Sequence, residues 1–382
     1  MRLGAIYTLY GRRAGAELFV EKTLEAILRL APGWELTVLC NTEAEAVLRE
    51  VLPAARVEPV PWLNNQFKKA FWLEFLSARA IHRGRFDAFW IPSGGAHFPG
   101  RWNVPAVVTF LDMGAFLVRN QYDFKRTVYR KYLATPLSLR RGAAFTGISR
   151  TTVDDLVRLF PRVKNPEVIH PGPSPLPPAP PMDRPAEVVE QEIGLKVDRI
   201  FFSPARTDYR GKGRDILLRA YAGYRRQVPD PWPLLMPGPQ GEFHDQVMRD
   251  IATLGLEGHA VWPGRVSDAC IQALYGVSGA MIMPSRIEGF GFPLLEAMAR
   301  GVPVICSDAG SLPEVAGGAA LIFPSGDAAR LEEAMVRLHR DPALREDLVL
   351  KGRRRCREYS WEETARKYIA LFLRVAGRGP QG

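Results

Sequence analysis

The stretch that decides the fold is Ser285-Arg-Ile-Glu-Gly-Phe-Gly-Phe-Pro-Leu-Leu-Glu-Ala-Met-Ala-Arg-Gly-Val-Pro-Val-Ile-Cys306. The apolar residues 280–283 before it predict a buried strand, and its two central glycines predict a tight turn. Pro293 fits the first turn of a helix, and Gly301 predicts the end of that helix. Residues 302–305 then predict a second strand. The order strand, glycine loop, helix, strand predicts one repeat of a parallel α/β sheet.

Two carboxylates, Glu288 and Glu296, lie eight residues apart across the glycine turn. A glycine loop that opens a helix after a strand presents N–H groups and a positive dipole end to an anion. Glu296 falls in the first turns of that helix, where a carboxylate can accept hydrogen bonds from a sugar or ribose hydroxyl. The alternative is an ordinary crossover with two solvated glutamates.

Length and periodicity predict two α/β domains. A chain of 382 residues is too long for one core, and its composition of 47% hydrophobic and 24% charged residues is that of a globular protein. Strand and helix patterns alternate throughout, which favours parallel sheets covered by helices. Strands are predicted at residues 1–9, 35–40, 86–91, 106–111 and 144–148, then at 199–202, 234–236, 260–262, 281–283 and 302–306.

Three other segments predict two amphipathic helices and a connector between the domains. Residues 17–30 and 361–376 have the periodicity of amphipathic helices. Residues 171–185 are rich in proline, which predicts an extended connector between domains, with a peptide ligand for an SH3-like module as the alternative.

The decisive stretch, taken with its surroundings, resembles the E-x7-E region of the family 4 retaining glycosyltransferases, within the mannosyltransferase-like group 1 enzymes. The likeness extends over residues 262–266, 307–320, 324–327 and 359–361. The resemblance implies the GT-B fold, in which two Rossmann-like doubly wound domains face each other across a cleft. It implies an acceptor-binding domain at 1–170, a linker at 171–185, a nucleotide-sugar-binding domain at 186–358, and a helix at 359–382 that crosses back to the first domain.

On the donor side, Arg206 and Lys212 follow the strand at 199–202, and two cations there can neutralise a diphosphate. The resemblance implies that Arg206 and Lys212 bind the donor's phosphates, with Arg210 and Arg214 as alternatives to Arg206. The resemblance also places Glu288 near the transferred sugar and Glu296 at the ribose. It assigns the backbone of four loop residues to the sugar and diphosphate, and two turn residues to the base: Gly289, Phe290, Gly291 and Phe292, then Arg265 and Val266.

On the acceptor side, Gly15 matches the family's first glycine loop. Many family members have a histidine where this chain has Leu111, near the reacting sugar. Asp112 follows that position, and His97 follows the preceding predicted strand, from which it can reach the same cleft. Both are therefore candidate catalytic residues, with incidental loop positions as the alternative.

The sequence shows no motif typical of a metal site. The chain contains no Asp-x-Asp and no His/Cys/carboxylate spacing typical of a metal site, and its four cysteines are scattered. The resemblance therefore implies a metal-independent, retaining transfer in which the nucleotide-diphosphate sugar is a substrate and no cofactor is used. The leaving diphosphate itself takes the acceptor's proton.

A net charge of +10 predicts an anionic partner, with an arginine-rich coding style as the alternative. Residues 67–76 and 125–141 mix bases with aromatic side chains, which is typical either of a segment on an anionic membrane surface or of a helix covering the sheet. The N-terminal residues lack the layout of a signal peptide, and no apolar run is long enough to span a bilayer. We therefore expect a cytoplasmic protein, peripheral on the inner face of the membrane if the interfacial interpretation holds.

The function predicted first is transfer of a hexosyl group, with mannosyl from GDP-mannose favoured over UDP-sugars, to a glycan or lipid-linked saccharide. A GT-B-fold epimerase or hydrolase of sugar nucleotides is the alternative enzyme; glycogen phosphorylase is excluded by length. A basic nucleic-acid-binding protein is the non-catalytic alternative. Arginines are dispersed and no nucleic-acid-binding motif is present, so nucleic acid is not an expected partner.

Overall fold

The computed structural model describes residues 1–11, 13, 15–118, 124–173, 182–205, 207–209 and 211–377. The chain divides into two compact units. The first is formed by Met1–Pro175 together with Tyr359–Gly382, and the second by Leu176–Glu358. The C-terminal helix thus belongs to the same unit as the N-terminal residues.

The first unit is built on a parallel sheet of seven strands within the described residues, ordered β3-β2-β1-β4-β5-β6-β7. Its strands are β1 (Arg2–Tyr7), β2 (Glu35–Cys40), β3 (Arg56–Pro59), β4 (Ala88–Ile91), β5 (Ala106–Phe110), β6 (Ala144–Gly147) and β7 (Glu167–Val168). The central strands are apolar on both faces because helices cover both sides of the sheet.

Helices connect these strands and return on the sheet. They are α1 (Gly15–Leu30), α2 (Thr42–Val51), α3 (Gln66–Phe71), α4 (Ser77–Gly84), α5 (Gly114–Leu117), α6 (Phe124–Val128), α7 (Thr135–Arg141) and α8 (Arg150–Leu159). A 3-10 turn at Pro61–Asn64 precedes α3. The π-helical segment Trp72–Leu76 joins α3 to α4, and a second π-helical segment, Tyr129–Ala134, joins α6 to α7.

The second unit has a parallel sheet of six strands in the part of the chain that is described, ordered β10-β9-β8-β11-β12-β13. Its strands are β8 (Ile200–Phe202), β9 (Leu234–Leu235), β10 (Ala260–Val261), β11 (Ser278–Met283), β12 (Val304–Ser307) and β13 (Leu321–Phe323). Its helices are α9 (Pro185–Ile193), α10 (Arg214–Gln227), α11 (His244–Thr253), α12 (Asp268–Gly276), α13 (Phe292–Ala299), α14 (Leu312–Ala316), α15 (Ala328–Arg340) and α16 (Pro342–Cys356).

The last helix, α17 (Trp361–Val375), packs against α1 of the first unit. The buried hydroxyl of Tyr368 lies 2.8 Å from Thr109 Oγ1 on β5 and 3.2 Å from Thr146 Oγ1 on β6. Trp90 donates its indole N–H to the same Thr109 at 2.9 Å. This buried network of satisfied polar groups fixes α17 on the sheet.

The predicted alternation of strands and helices is confirmed, and the exceptions have physical reasons. β12 begins at Val304 because Pro303 cannot donate a ladder hydrogen bond, so the predicted start at residue 302 was two residues early. The sequence missed the short strands β3, β7 and β13, whose residues give too few alternations for a period to be seen.

In each sheet the order in which the strands are added reverses at one position, which is the topological switch point of the sheet. In the first unit this point lies between β1 and β4, and in the second between β8 and β11. At such a point the loops after the two strands diverge and leave a crevice at the carboxyl ends of the strands, where ligands of doubly wound folds bind.

Candidate functional site

The crevice of the second unit contains an ion pair between two of the residues predicted for the donor site, Lys212 and Glu288. Lys212 lies in the loop after β8, and Glu288 lies in the loop after β11. The Lys212 ammonium donates to Glu288 Oε2 at 2.8 Å, with 29% and 16% of the two side chains exposed. The pair therefore keeps contact with solvent on one side, where a ligand can reach both groups.

The loop that carries Lys212 is tied to the end of β11. Gly213 has φ +60°, and a Cβ there would lie 2.0 Å from the carbonyl oxygen of Pro284, so only glycine permits this approach. Arg286 forms two parallel hydrogen bonds of 2.7 Å with Asp215 in the first turn of α10, and its backbone N–H donates to Gly211 at 2.9 Å. The sequence pattern did not predict this clamp, because Asp215 and Arg286 are 71 positions apart and meet only in the folded chain.

Asp215 and Arg286 also shift each other's pKa. The pKa of Asp215 is lowered: burial raises it, but the hydrogen bonds and charge of Arg286 outweigh that effect. The pKa of Arg286 is raised by its hydrogen bonds to Asp215. The pair stays ionised and holds the Lys212 loop rigidly beside the Glu288 loop.

The alternate assignment of Arg214 to the donor's phosphates is wrong. Arg214 is fully buried, and its guanidinium donates to Ser203 Oγ, to the Ser203 carbonyl and to the Ala205 carbonyl at 2.7–2.8 Å. Burial lowers its pKa to about 10. Arg214 therefore braces the chain after β8 from within. Arg206 and Arg210 lie outside the described residues, so their assignment stays a prediction.

A second set of contacts fixes the backbone of Glu288 from the neighbouring strand β12. The N–H and hydroxyl of Ser311 both donate to the Glu288 carbonyl at 3.2 Å. Ser307 donates its hydroxyl to the Ser285 carbonyl at 2.5 Å. Gly310 has φ +57°, and a Cβ there would lie 2.3 Å from the Glu288 carbonyl oxygen. The segment 307–311 thus positions the carboxylate, a role that its sequence did not reveal.

Glu296 lies on α13, where its Oε2 accepts a hydrogen bond of 2.8 Å from the hydroxyl of Tyr275. Burial and the neighbouring carboxylate hold the pKa of Tyr275 well above its ordinary value, so the phenol remains a donor. Arg300 lies over the Tyr275 ring, 4.8 Å from its centroid. The hydroxyl of Tyr275 thus orients the carboxylate of Glu296, whose side chain is half-buried, while Arg300 packs on the Tyr275 ring.

The predicted backbone cradle is the turn that opens α13. Gly289 and Phe290 belong to the loop, and Gly291 (φ +96°), which precedes the first helical residue Phe292, has no side chain with which to cap this end. Such an uncapped start of a helix favours an anion. Arg265 is exposed and Val266 half-buried in the turn after β10, next to Ser267, whose hydroxyl caps α12.

The first unit contains a cavity of about 570 Å³ at its own crevice. The residues that line it include Thr8 after β1, His97 after β4, and Leu111 and Asp112 after β5. His97 Nε2 lies 3.1 Å from Thr8 Oγ1 across the switch point. The structure therefore brings His97 and Asp112 into the same cavity as Leu111, the position where the family histidine was expected.

The other acceptor-side residues lie beside this cavity. Gly15 is the first residue of α1, and the two residues after it, Ala16 and Glu17, line the cavity. Asp112 accepts a hydrogen bond of 2.8 Å from the N–H of Gly114, which opens the short helix α5. Lys69 also lines the cavity, although the sequence pattern predicted only an interfacial segment or a covering helix there.

Both units of the chain are similar in sequence to known protein families. Residues 187–355 match the family model described as glycosyl transferases group 1, and residues 14–174 match the model described as glycosyltransferase family 4. The chain belongs to the group 1, family 4 glycosyltransferases. The two models together cover both units and leave out mainly the connector and the last helix.

Among curated relatives of this glycosyltransferase, an O-antigen chain mannosyltransferase B of Escherichia coli is 34% identical over 41% of this chain and 41% of its own length. A phosphatidyl-myo-inositol mannosyltransferase of Mycobacterium leprae is 30% identical over 51% of this chain and 55% of its own length. The matched regions thus span about half of these relatives. The sucrose-phosphate synthase structure from Thermosynechococcus elongatus superposes with a TM-score of 0.76, covering 98% of this chain and 99% of that one at 20% identity.

The structural neighbours confirm the GT-B fold of this glycosyltransferase. No group of three or more His, Cys, Asp or Glu side chains is placed to hold a metal ion. No helix in the described part of the chain is both long and apolar enough to cross a membrane.

Proposed function

We propose that this glycosyltransferase moves a hexosyl group, with retention of configuration, from a nucleotide-diphosphate sugar to a saccharide or lipid-linked acceptor. The observation that carries the proposal is the Lys212–Glu288 ion pair at the switch point of the second sheet. A cation and an anion held together beside the start of α13 match a ligand that has a charged diphosphate and a hydroxyl-rich sugar.

The charge that develops in the reaction appears on the leaving diphosphate. Lys212 and the N-terminal end of α13 can stabilise this charge, and interactions that strengthen in the transition state raise the rate. Glu288 accepts hydrogen bonds from the transferred sugar, and Glu296 accepts those of the ribose. With Lys212 neutralising the diphosphate, the reaction is proposed to run without a metal ion or other cofactor. The diphosphate then takes the acceptor's proton on the same face.

Mannose is the proposed sugar because the first curated relatives are mannosyltransferases. The experiment that tests the function is a screen of nucleotide-diphosphate sugars with release of the nucleoside diphosphate as readout. The wild-type chain should release GDP from GDP-mannose faster in the presence of an acceptor extract than without it. Release that never depends on an acceptor would point to a hydrolase, and conversion of the donor without release to an epimerase.

Contact with an anionic membrane surface is the second part of the proposal. Three aromatic side chains of the helical segment 66–76 point into solvent: Phe67 is 68% exposed, Phe71 50% and Phe75 61%. Lys68 is exposed beside them. On the segment 124–141, Phe124 and Tyr132 are 83% and 75% exposed. Exposed aromatic groups close to bases favour the interface of an anionic bilayer.

Co-sedimentation with vesicles tests this surface. The wild-type chain should bind vesicles of phosphatidylcholine mixed with phosphatidylglycerol and not those of phosphatidylcholine alone. The triple change Phe67→Ser, Phe71→Ser, Phe75→Ser should abolish binding. The control is Leu350→Ser, which removes an apolar side chain that is 57% exposed on the second unit. Equal binding by the triple variant would remove the membrane from the proposal.

A further inference from the structure

The turn after β10 is bound by a carboxylate from a helix that is distant in sequence. Glu192, on α9, accepts hydrogen bonds from the backbone N–H of Ser267 at Oε1 and from the Ser267 hydroxyl at Oε2, both 2.6 Å long. Because the hydroxyl proton is donated to Glu192, the Ser267 oxygen is free to accept the N–H of Cys270 at 3.0 Å, which caps α12. Glu192 therefore fixes the end of the turn and the start of the helix together.

The other end of the turn is fixed by the loop after β9. The carbonyl of Gly264 accepts the N–H of Gly238 at 2.8 Å, and the indole N–H of Trp262 donates to the carbonyl of the same Gly238 at 3.1 Å. Gly264 has φ +77°, a left-handed conformation that favours glycine. Arg265 and Val266, the two residues predicted for the base of the donor, therefore lie between two fixed points.

The bonds at both ends orient two backbone groups of this turn. A trans peptide unit is planar, and its N–H and C=O point in opposite directions. Because the N–H of Ser267 points at Glu192, the carbonyl of Val266 in the same peptide unit points away from Glu192. By the same reasoning the N–H of Arg265 points away from Gly238. The turn thus presents one acceptor and one donor, whose directions are set by bonds to the rest of the unit.

The two oriented groups are also unpaired. Within the described part of the chain, neither the N–H of Arg265 nor the carbonyl of Val266 has a hydrogen-bond partner. Val266 is half-buried. Since backbone groups removed from water are nearly always paired, a ligand that supplies a donor and an acceptor fits this turn.

The turn lies at the edge of the sheet where the donor residues lie. β8, β9 and β10 are neighbouring parallel strands, so the turn after β10 leaves from the same edge as the loop that carries Lys212. With strands about 4.8 Å apart, the ends of β8 and β10 are about 10 Å apart along that edge. A ligand with its diphosphate at Lys212 therefore needs an extended part to reach the turn, and a nucleoside supplies a ribose and a base.

From these contacts we infer that Glu192 is a positioning residue of the donor site, which fixes the carbonyl of Val266 as the acceptor for a ring N–H of the nucleobase. The inference rests on the proposed function in that it assigns the second unit to a nucleoside-diphosphate donor. The class of base that fits has a ring N–H beside a carbonyl, because the turn offers one acceptor and one donor. Guanine and uracil have this arrangement, and adenine does not.

Calorimetric titration of the whole chain with GDP and 1-methyl-GDP tests this role, because the methyl group removes the ring N–H. UDP and 3-methyl-UDP form the equivalent pair. The wild type should bind the unmethylated nucleotide about tenfold more tightly than the methylated one. In Glu192→Ala this ratio should fall to about threefold or less, while the affinity for pyrophosphate, which has no base, should stay unchanged. A ratio in Glu192→Ala equal to that of the wild type would overturn the inference, because a purely structural defect weakens both nucleotides alike.

Two further variants separate positioning from stability. Glu192 is exposed and alanine favours helices, so Glu192→Ala should fold. The matched control is Glu187→Ala on the same helix, which breaks only an exposed pair with Arg184 and should keep the wild-type ratio. Ser267→Ala removes the hydroxyl that caps α12 but keeps the N–H that Glu192 orients. It should lower the unfolding temperature and keep the ratio, and a ratio that falls with the cap alone would contradict a role of the N–H bond.

Lys212→Gln separates this inference from the proposed function. It should weaken the binding of GDP, UDP and pyrophosphate alike, whereas Glu192→Ala should leave pyrophosphate unaffected. If nucleotide binding depends on Lys212 while the methylation ratio is the same with and without Glu192, the inference alone is wrong. If the wild type binds neither GDP nor UDP, the proposed function fails, and the role of Glu192 fails with it.

Discussion

The ammonium of Lys212 lies 2.8 Å from Glu288 Oε2 although the two residues are 76 positions apart in the chain. They meet because β8 and β11 are neighbours in the sheet and their loops leave from the same edge. Arg286 and Asp215 fasten one loop to the other, while Ser307 and Ser311 fix the second loop from behind. The pair is therefore held before any ligand arrives, which is the preorganisation that electrostatic stabilisation requires.

Removal of either member of this pair should suppress transfer. Lys212→Ala and Glu288→Ala should each lower the turnover number by about 100-fold or more, because the charge of the diphosphate or the orientation of the sugar is lost. Steady-state kinetics and far-UV circular dichroism measure the two effects. The control is Lys351→Ala, which breaks an exposed pair with Asp347 in the same unit. Turnover like that of the wild type in either site variant would contradict the assignment.

Glu296 should act on binding of the donor, not on the chemical step. Glu296→Ala should raise the donor KM by about tenfold with kcat little changed, since a carboxylate that binds ribose hydroxyls does so equally in ground and transition states. Tyr275→Phe, which removes only the hydroxyl that orients Glu296, should have a smaller effect of the same kind. Glu333→Ala, at an exposed position on α15, serves as the control. A fall in kcat with an unchanged KM would reject the role in ribose binding.

Arg214 should determine stability without contributing to the donor site. Arg214→Lys should lower the free energy of unfolding by about 3 kcal/mol, because an ammonium cannot reproduce the three guanidinium bonds to Ser203 and Ala205 in a buried position. The urea midpoint of the second unit measures the loss. Arg226→Lys on the exposed face of the same helix should cost almost nothing. Equal midpoints for the two variants would show that the buried bonds are dispensable.

The burial of Lys69 should appear in the pH dependence of stability. Its pKa is about 7 in the folded chain and 10.5 as a reference, so between these values the unfolded chain binds more protons. The free energy of unfolding of the wild type relative to Lys69→Met should therefore rise with pH in this window, by at most about 1.4 kcal/mol per pH unit. Below pH 7 the burial cost is present in full, and Lys69→Met should be the more stable protein.

Denaturation across pH 6 to 10 measures this difference, with Lys68→Met as the control that should show no such slope. The other charged or titratable groups that line the cavity are present in both proteins: Tyr7, Tyr10, Glu17, His97, Asp112, Arg126, Tyr129 and Arg130. Because the charge of Lys69 contributes to the lowered pKa of His97, the slope is read above about pH 8, where the imidazole is neutral in both proteins. A flat difference would mean that Lys69 keeps an ordinary pKa.

The local pattern of the fold could be predicted from neighbouring residues alone. Apolar runs ended by Pro284, the helix start after Gly291 and the helix stop at Gly301 depend only on neighbouring residues, so their signals are written in order along the chain. The same pattern was specific enough to indicate the family and to select Glu288, Glu296 and Lys212. These elements lie in the structure where the pattern predicted them, within one or two residues.

Which charged side chain faces a crevice and which one supports the fold depends on tertiary packing. Lys212 lies in a glycine-bearing loop and Arg214, two positions later, is the first residue of α10, yet Arg214 is fully buried while Lys212 reaches Glu288. Lys68 and Lys69 are adjacent, yet one is exposed and the other lines the cavity. Burial depends on segments that are distant in sequence, here β11 and the residues after β4, and a one-dimensional pattern of charges carries no record of which distant segment will cover it.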